Sequence, residues 1–180
     1  MRMFHACFCL SVAIAVSFAT AAFAQMPAYD QAGPVPPAIA AAKNIFVSNA
    51  GADSGLFPEP FTGDPDRPYT EFYAALKATG AFTLVADPAQ ADLVLELRLF
   101  APYGPTNPTN ANKQIGTADP RPMFRLVVYD GKTHFILWTV TQSVDYAFQQ
   151  KTHDKNFDMA LTEVLNQFLK IAGKPPAAAH

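Results

Sequence analysis

Past residue 24 the chain has no cysteine, because its 2 cysteines are Cys7 and Cys9. Thiolate catalysis, disulfide bonds and cysteine-ligated metal are thereby excluded from everything that follows. Serine is almost as scarce: after residue 24 only Ser48, Ser54 and Ser143 remain. None is the centre of a Gly-x-Ser-x-Gly turn, and the nearest string, Gly51-Ala52-Asp53-Ser54-Gly55, places aspartate there. Charge is sparse and almost balanced, with 13 Lys+Arg against 15 Asp+Glu, so a strongly basic surface for nucleic acid is absent. The composition, 50% hydrophobic, is that of a globular chain and too apolar for a disordered one.

Long apolar runs are also lacking, with one exception. Residues 1–24 carry Arg2, an apolar stretch from about Ala6 to Ala19, and Ala22-Phe23-Ala24 before Gln25. That is the pattern of a secretory signal peptide with an A-x-A cleavage site. The run is shorter than the roughly 20 residues a membrane span requires. Both cysteines lie near its start and none at the cleavage point, so a lipid anchor is not expected. The processed protein is expected to be periplasmic or secreted.

Residues 25–42 are rich in Pro and Ala and read as a flexible leader, and residues 174–180, KPPAAAH, as a disordered tail. Between them, 43–173 is expected to be a single α+β domain. Its breakers fall between the periodic segments. Asn44–Ser48 is a short apolar strand, and 49–67 a long loop containing Gly51, Gly55, Pro58, Pro60, Gly63 and Pro65. Tyr69, Phe72, Tyr73 and Leu76 recur at helical spacing over 68–79, with Gly80 as a left-handed stop. Phe82–Val85 is a second short strand. In 93–100 every second residue is Leu, which predicts a strand with one covered face. A polar insert, 101–122, precedes an alternating strand at 124–129; Asp130-Gly131 turns the chain, and 135–146 returns as a strand around Trp138, the 1 tryptophan. The stripe Phe157, Ala160, Leu161, Val164, Leu165, Phe168 and Ile171 predicts a helix over 155–172.

The order β-α-β-β-β-β-α, with strands that alternate, predicts a two-layer α+β sandwich. Its sheet is mixed, mostly antiparallel and of about five strands, with two helices on one face. Trp138 is expected beneath both helices, against Phe72 and Leu76 on one and Leu161, Val164 and Phe168 on the other. Truncating it to Ala then costs about 3 to 5 kcal/mol.

No constellation for catalysis emerges, and no catalytic residue, cofactor or metal site is expected. Gly131-Lys132-Thr133 lacks the phosphate-loop glycine that would fall at Leu126, and it lies between strands. His153, Asp154 and Asp158 are the nearest approach to a metal set. A simpler account is that Asp154 caps the last helix and both carboxylates favour its positive end. Asp64-Pro65-Asp66 is a fragment of a calcium loop without the rest of the series. Glu59, Glu71, Glu96 and Glu163 read as solvated surface and not as a glycosidase pair.

The strings NIFVSN, LKATG, FTLVADPAQADLVLELRL and FRLVVYDGKTHFILWTV, followed by an amphipathic helix, resemble the small exported α/β modules of bacterial envelopes. Their layout is similar to the N-terminal domain of the Tol-Pal propeller protein and to the core of the curli-secretion lipoprotein. The resemblance implies a module that works by protein contact and assembly. The residues themselves offer a surface for it: Val94, Glu96, Arg98, Phe100, Arg125, Val127 and Tyr129 alternate away from the helices as a mixed apolar and charged strip. The expected function is therefore a non-catalytic envelope module with a protein partner or a second copy of itself. The alternative is a small hydrolase or ligand-binding protein whose site lies in loops 49–67 and 101–122. That alternative requires at least two of Asp53, Ser54, Asp64, Tyr103 and His153 to converge in a pocket.

Overall fold

The computed structural model describes residues 33–102 and 121–177. The export segment 1–24, leader residues 25–32, insert residues 103–120 with Tyr103, and tail residues 178–180 lie outside the described residues.

Among the described residues, three α-helices and five strands follow one another as α1 (Pro37–Ala41), β1 (Asn44–Ala52), α2 (Arg67–Thr79), β2 (Thr83–Leu84), β3 (Leu93–Phe100), β4 (Met123–Asp130), β5 (Ile136–Ser143) and α3 (Gln150–Ile171). The strands form one sheet in the order β2-β1-β3-β4-β5. β1 is parallel to both β2 and β3, while β3-β4 and β4-β5 are antiparallel and form the longer ladders. The molecule is a two-layer α+β sandwich with a mixed sheet, as the alternation predicts.

The register explains which face is covered. Leu95 pairs with Val128 and Leu97 with Leu126, and the row continues through Val47 on one side and Val140 on the other. Leu93, Leu95, Leu97 and Leu99 are all at most 1% exposed. α2 lies over β1 and β3, and α3 over β4 and β5. Phe72 and Leu76 from α2, and Phe157, Leu161, Val164, Phe168 and Leu169 from α3, complete the core. α2 ends where the sequence predicts: Gly80 takes φ 62° and donates its N–H to the Lys77 carbonyl.

Four expectations need correction. The leader is not flexible throughout, since α1 lies within it and Ile39 is fully buried in the core. One buried isoleucine, packed tertiarily, holds a five-residue helix that no periodicity announces. The tail is likewise tied down at its start, where Lys174 N–H reaches the Leu169 carbonyl and Ala177 N–H the Asn166 side chain. α3 begins at Gln150, so Asp154 lies in its second turn and is not its cap. Trp138 shares the helix-side row, opposite Val128, but β5 ends the sheet. The indole is therefore only half-buried, on the α3 side, and α2 lies over other strands.

One junction ties the strands together at their starts. Asp92 accepts hydrogen bonds from the N–H groups of Asn44 and Lys43, both at 2.9 Å, while its own N–H and carbonyl bond Asn44 and Gly131. Those two N–H groups hold its carboxyl below the usual carboxylate range. Gly131 is required there: a Cβ would lie 2.1 Å from the Ala91 carbonyl oxygen. The contact of Asp92 with Gly131, beside the Asp130-Gly131 turn, is thus the clamp between β3 and the β4-β5 turn.

Candidate functional site

The side of the sheet away from α2 and α3 carries the residues picked out as an interaction strip. Register brings them into two adjoining columns: Val94 opposite Tyr129, Glu96 opposite Val127, and Arg98 opposite Arg125. Phe100 faces Met123 at the end of the ladder. Phe46 and Ser48 on β1 extend the strip on one side and Thr139 and Thr141 on β5 on the other.

Their environment is mixed. Val127 is 5% exposed although it lies on the side away from α2 and α3. The Tyr129 hydroxyl lies 3.4 Å from a Glu96 carboxylate oxygen. Burial, and then the negative charge of Glu96, push the phenol above its ordinary value, so it stays a neutral donor. Arg98 and Arg125 face each other across the ladder, and each finds an outlet. Arg98 Nη2 bonds Asp53 Oδ1 at 3.0 Å, and the Arg125 guanidinium lies 5.7 Å from the centroid of Phe100. Two like charges are thereby turned away from each other at one end of an otherwise uncharged or acidic strip.

The residues of the loop alternative are brought to separate duties. Asp53 accepts from Arg98 and from the Ala101 N–H. Ser54 begins a short 3₁₀ turn, and Asp64 accepts the N–H of Asp66. His153 stands edge-on to Phe61, with centroids 6.1 Å apart. The groove between α2 and α3, about 670 Å³, is lined by other residues, among them Ala75, Ala78, Lys155, Met159 and Glu163.

The sequence reading overlooked Arg67. Its guanidinium holds Glu71 at 2.7 Å, Asp154 at 2.6 Å and Asp158 at 2.9 Å, and it stacks 4.2 Å from the Phe157 centroid. Asp154 also accepts the N–H and hydroxyl of Thr62. Burial alone pushes the Asp154 carboxyl up; Arg67 and Thr62 outweigh it and hold the group below its ordinary range. Burial likewise opposes the charge of Arg67, and Glu71 and Asp154 more than compensate. Two of the three suspected metal ligands thus serve one guanidinium, fastening loop 53–66 to α3. No group of His and acidic residues with metal-site geometry occurs among the described residues. No described helix is long and apolar enough to cross a membrane.

No protein-family model and no curated protein matches the chain. Among solved structures, one of a DUF4136 family protein from Bacteroides thetaiotaomicron is similar at a TM-score of 0.49 and 11% identity, over 76% of this chain and 92% of that one. Two PelC dodecamers from Paraburkholderia phytofirmans, one a point variant, match at a TM-score of 0.41 and 14% identity. They cover 70% and 79% of this chain and 87% and 94% of theirs. At such scores the likeness is too loose to carry a function across. None of the three is the Tol-Pal or the curli protein, so the resemblance to those two systems has no support from them.

Proposed function

We propose that the chain is an exported, non-catalytic contact module that binds a protein partner through the open face of its sheet. The observation that carries this reading is the aligned double column of Val94, Glu96, Arg98 and Phe100 with Arg125, Val127 and Tyr129, left uncovered by both described long helices. Apolar centres beside charged and phenolic groups are the composition of a protein interface. Export rests on the signal pattern of residues 1–24. The non-catalytic reading rests on how Asp53, Asp64, Asp154 and Asp158 in loop 53–66 and α3 are occupied: each carboxylate holds an arginine or a backbone N–H.

A photo-crosslinking residue placed at Val94 or at Arg125, and as a control at Thr162, exposed on α3 in the helical layer, tests the proposal in the native host. Discrete adducts from the two sheet positions, absent from Thr162, are expected. Adducts from neither sheet position, or the same adducts from all three, would overturn it.

A further inference from the structure

The two edges of the sheet are built differently. β2 is two residues long, and Phe82 beside it stacks on Phe168 and under Lys174 Nζ. Such an edge offers almost nothing to pair with. β5 is eight residues long and ends the sheet on the other side. From Phe135 to Val144 it contains no Lys, Arg, Asp, Glu or Pro. Apart from the ladder with β4, no backbone hydrogen bond from a described segment reaches Ile136–Gln142. Among the described residues, the alternate N–H and C=O groups of that stretch that point away from β4 have no backbone partner. Charge, proline and brevity are the usual guards of an edge, and β5 has none of them. Its single irregularity is at its start, between the pairs Val128-Trp138 and Tyr129-Ile136.

We propose that β5 pairs antiparallel with β5 of a second copy, about a two-fold axis perpendicular to the sheet, joining the two sheets into one. The regular stretch Trp138–Gln142 is symmetric about Val140, which puts Thr139 of each copy opposite Thr141 of the other. A strand that meets itself must avoid placing like charges face to face, and this one carries none. The ends of the edge are also complementary. Phe135 is 73% exposed and Ile136 60% at one end. At the other, a groove of about 240 Å³ between β5 and α3 is lined by Gln142, Asp145, Asn156, Met159, Ala160 and Glu163, with Met159 60% exposed. Antiparallel pairing carries the aromatic end of each copy to the grooved end of the other. The remaining exposed part of Trp138 is covered in the same step. This association uses the backbone of the edge; Thr139 and Thr141 also border the open face, and a Val94 variant separates the two surfaces.

Sedimentation equilibrium of the host-processed protein at tens of micromolar tests it. A dimer is expected for the unaltered chain. Thr139→Lys with Thr141→Lys, both exposed positions, sets like charges opposite each other and is expected to raise the dissociation constant at least about tenfold. Mixing that variant with one carrying Thr139→Glu and Thr141→Glu restores a dimer containing one of each. Val94→Lys, in the open face, leaves the dimer unchanged. A monomeric unaltered chain overturns the proposal, as does a dimer indifferent to the paired lysines or dependent on Val94. So does a failure of the mixed charges to reassociate.

Discussion

β3 presents two chemistries from one strand. Leu93, Leu95, Leu97 and Leu99 are sealed beneath the helices, while Val94, Glu96 and Phe100 are half-exposed and Arg98 exposed on the other side. The backbone is common to both sets, so the contrast isolates what a helical layer adds. On the covered side each leucine exchanges water for packed neighbours, worth about 1.5 to 3 kcal/mol per side chain. On the open side the residues hold each other weakly, through an ion pair, a long hydroxyl contact and a cation over a ring. The covered face carries the stability of the fold, and the open one is free to change.

The largest effect belongs to the covered face. Leu97→Ala leaves a cavity in the middle strand, with Leu126 beside it, and is expected to lower unfolding free energy by about 3 kcal/mol in urea. A loss below about 1 kcal/mol would mean that the helical layer closes over the gap, and the contrast between faces would be shallower than burial implies.

Arg67 comes next, because it joins loop 53–66 to that layer. Arg67→Ala leaves Asp154 and Asp158 beside Glu71 without their cation and is expected to cost about 2 kcal/mol, intermediate between exposed and buried ion pairs. Arg67→Lys restores charge but not the three-way fork, and recovers only part. The pH dependence has a definite sign. Asp154 is held below its ordinary pKa, so its contribution is present above the unfolded carboxylate range near 4 and is lost as pH falls through the folded value. Arg67→Ala is expected to flatten the acid limb of the stability curve. An unchanged limb would leave Asp92 and Asp130, also held low by N–H groups, as the source of acid sensitivity.

Trp138 tests the margin between the two regions. Fully buried, its truncation would cost about 3 to 5 kcal/mol; half-buried on the last strand, Trp138→Ala is expected to cost about 2 kcal/mol. Thermal unfolding distinguishes the two, and the full cost would place the indole under both helices after all.

The legibility of the sequence follows the same division. β3 and the Gly80 stop were readable because they depend on local period and local φ, and the observed span Leu93–Phe100 is the one the leucines mark. α1 was not, since Ile39 is a single apolar residue in a Pro/Ala context and its burial comes from the rest of the fold. β1 runs on to Ala52 through an irregular stretch where Gly51 takes φ 67° and the Asn49 side chain accepts its N–H. Read locally, that glycine is a breaker. The first turn of α3 holds only polar residues, so apolar spacing starts the helix too late. For the candidate site, alternation identified the open strip, but not that Arg98 and Arg125 would be opposite one another or that Asp53 would answer one of them. Arg67 was invisible for a similar reason: its partner Asp154 is 87 positions away.

The smallest effect is expected where the open face is charged. Arg98 is 47% exposed and Asp53 29%, and pairs of that kind contribute about 0.2 to 1 kcal/mol. Removing Arg98 also relieves its like-charged neighbour Arg125 across the ladder, which returns part of the loss. Asp53 keeps its hydrogen bond from the Ala101 N–H, so the turn after β1 does not lose its anchor. Arg98→Ala is therefore expected to change stability by less than about 0.5 kcal/mol in urea. Raising salt is expected to shrink even that difference, because both groups are reached by solvent. A loss above about 1.5 kcal/mol, persisting in high salt, would make the pair a structural tie comparable to Arg67. The open face would then hold the fold together as the covered one does, and a partner binding there would have to compete with it.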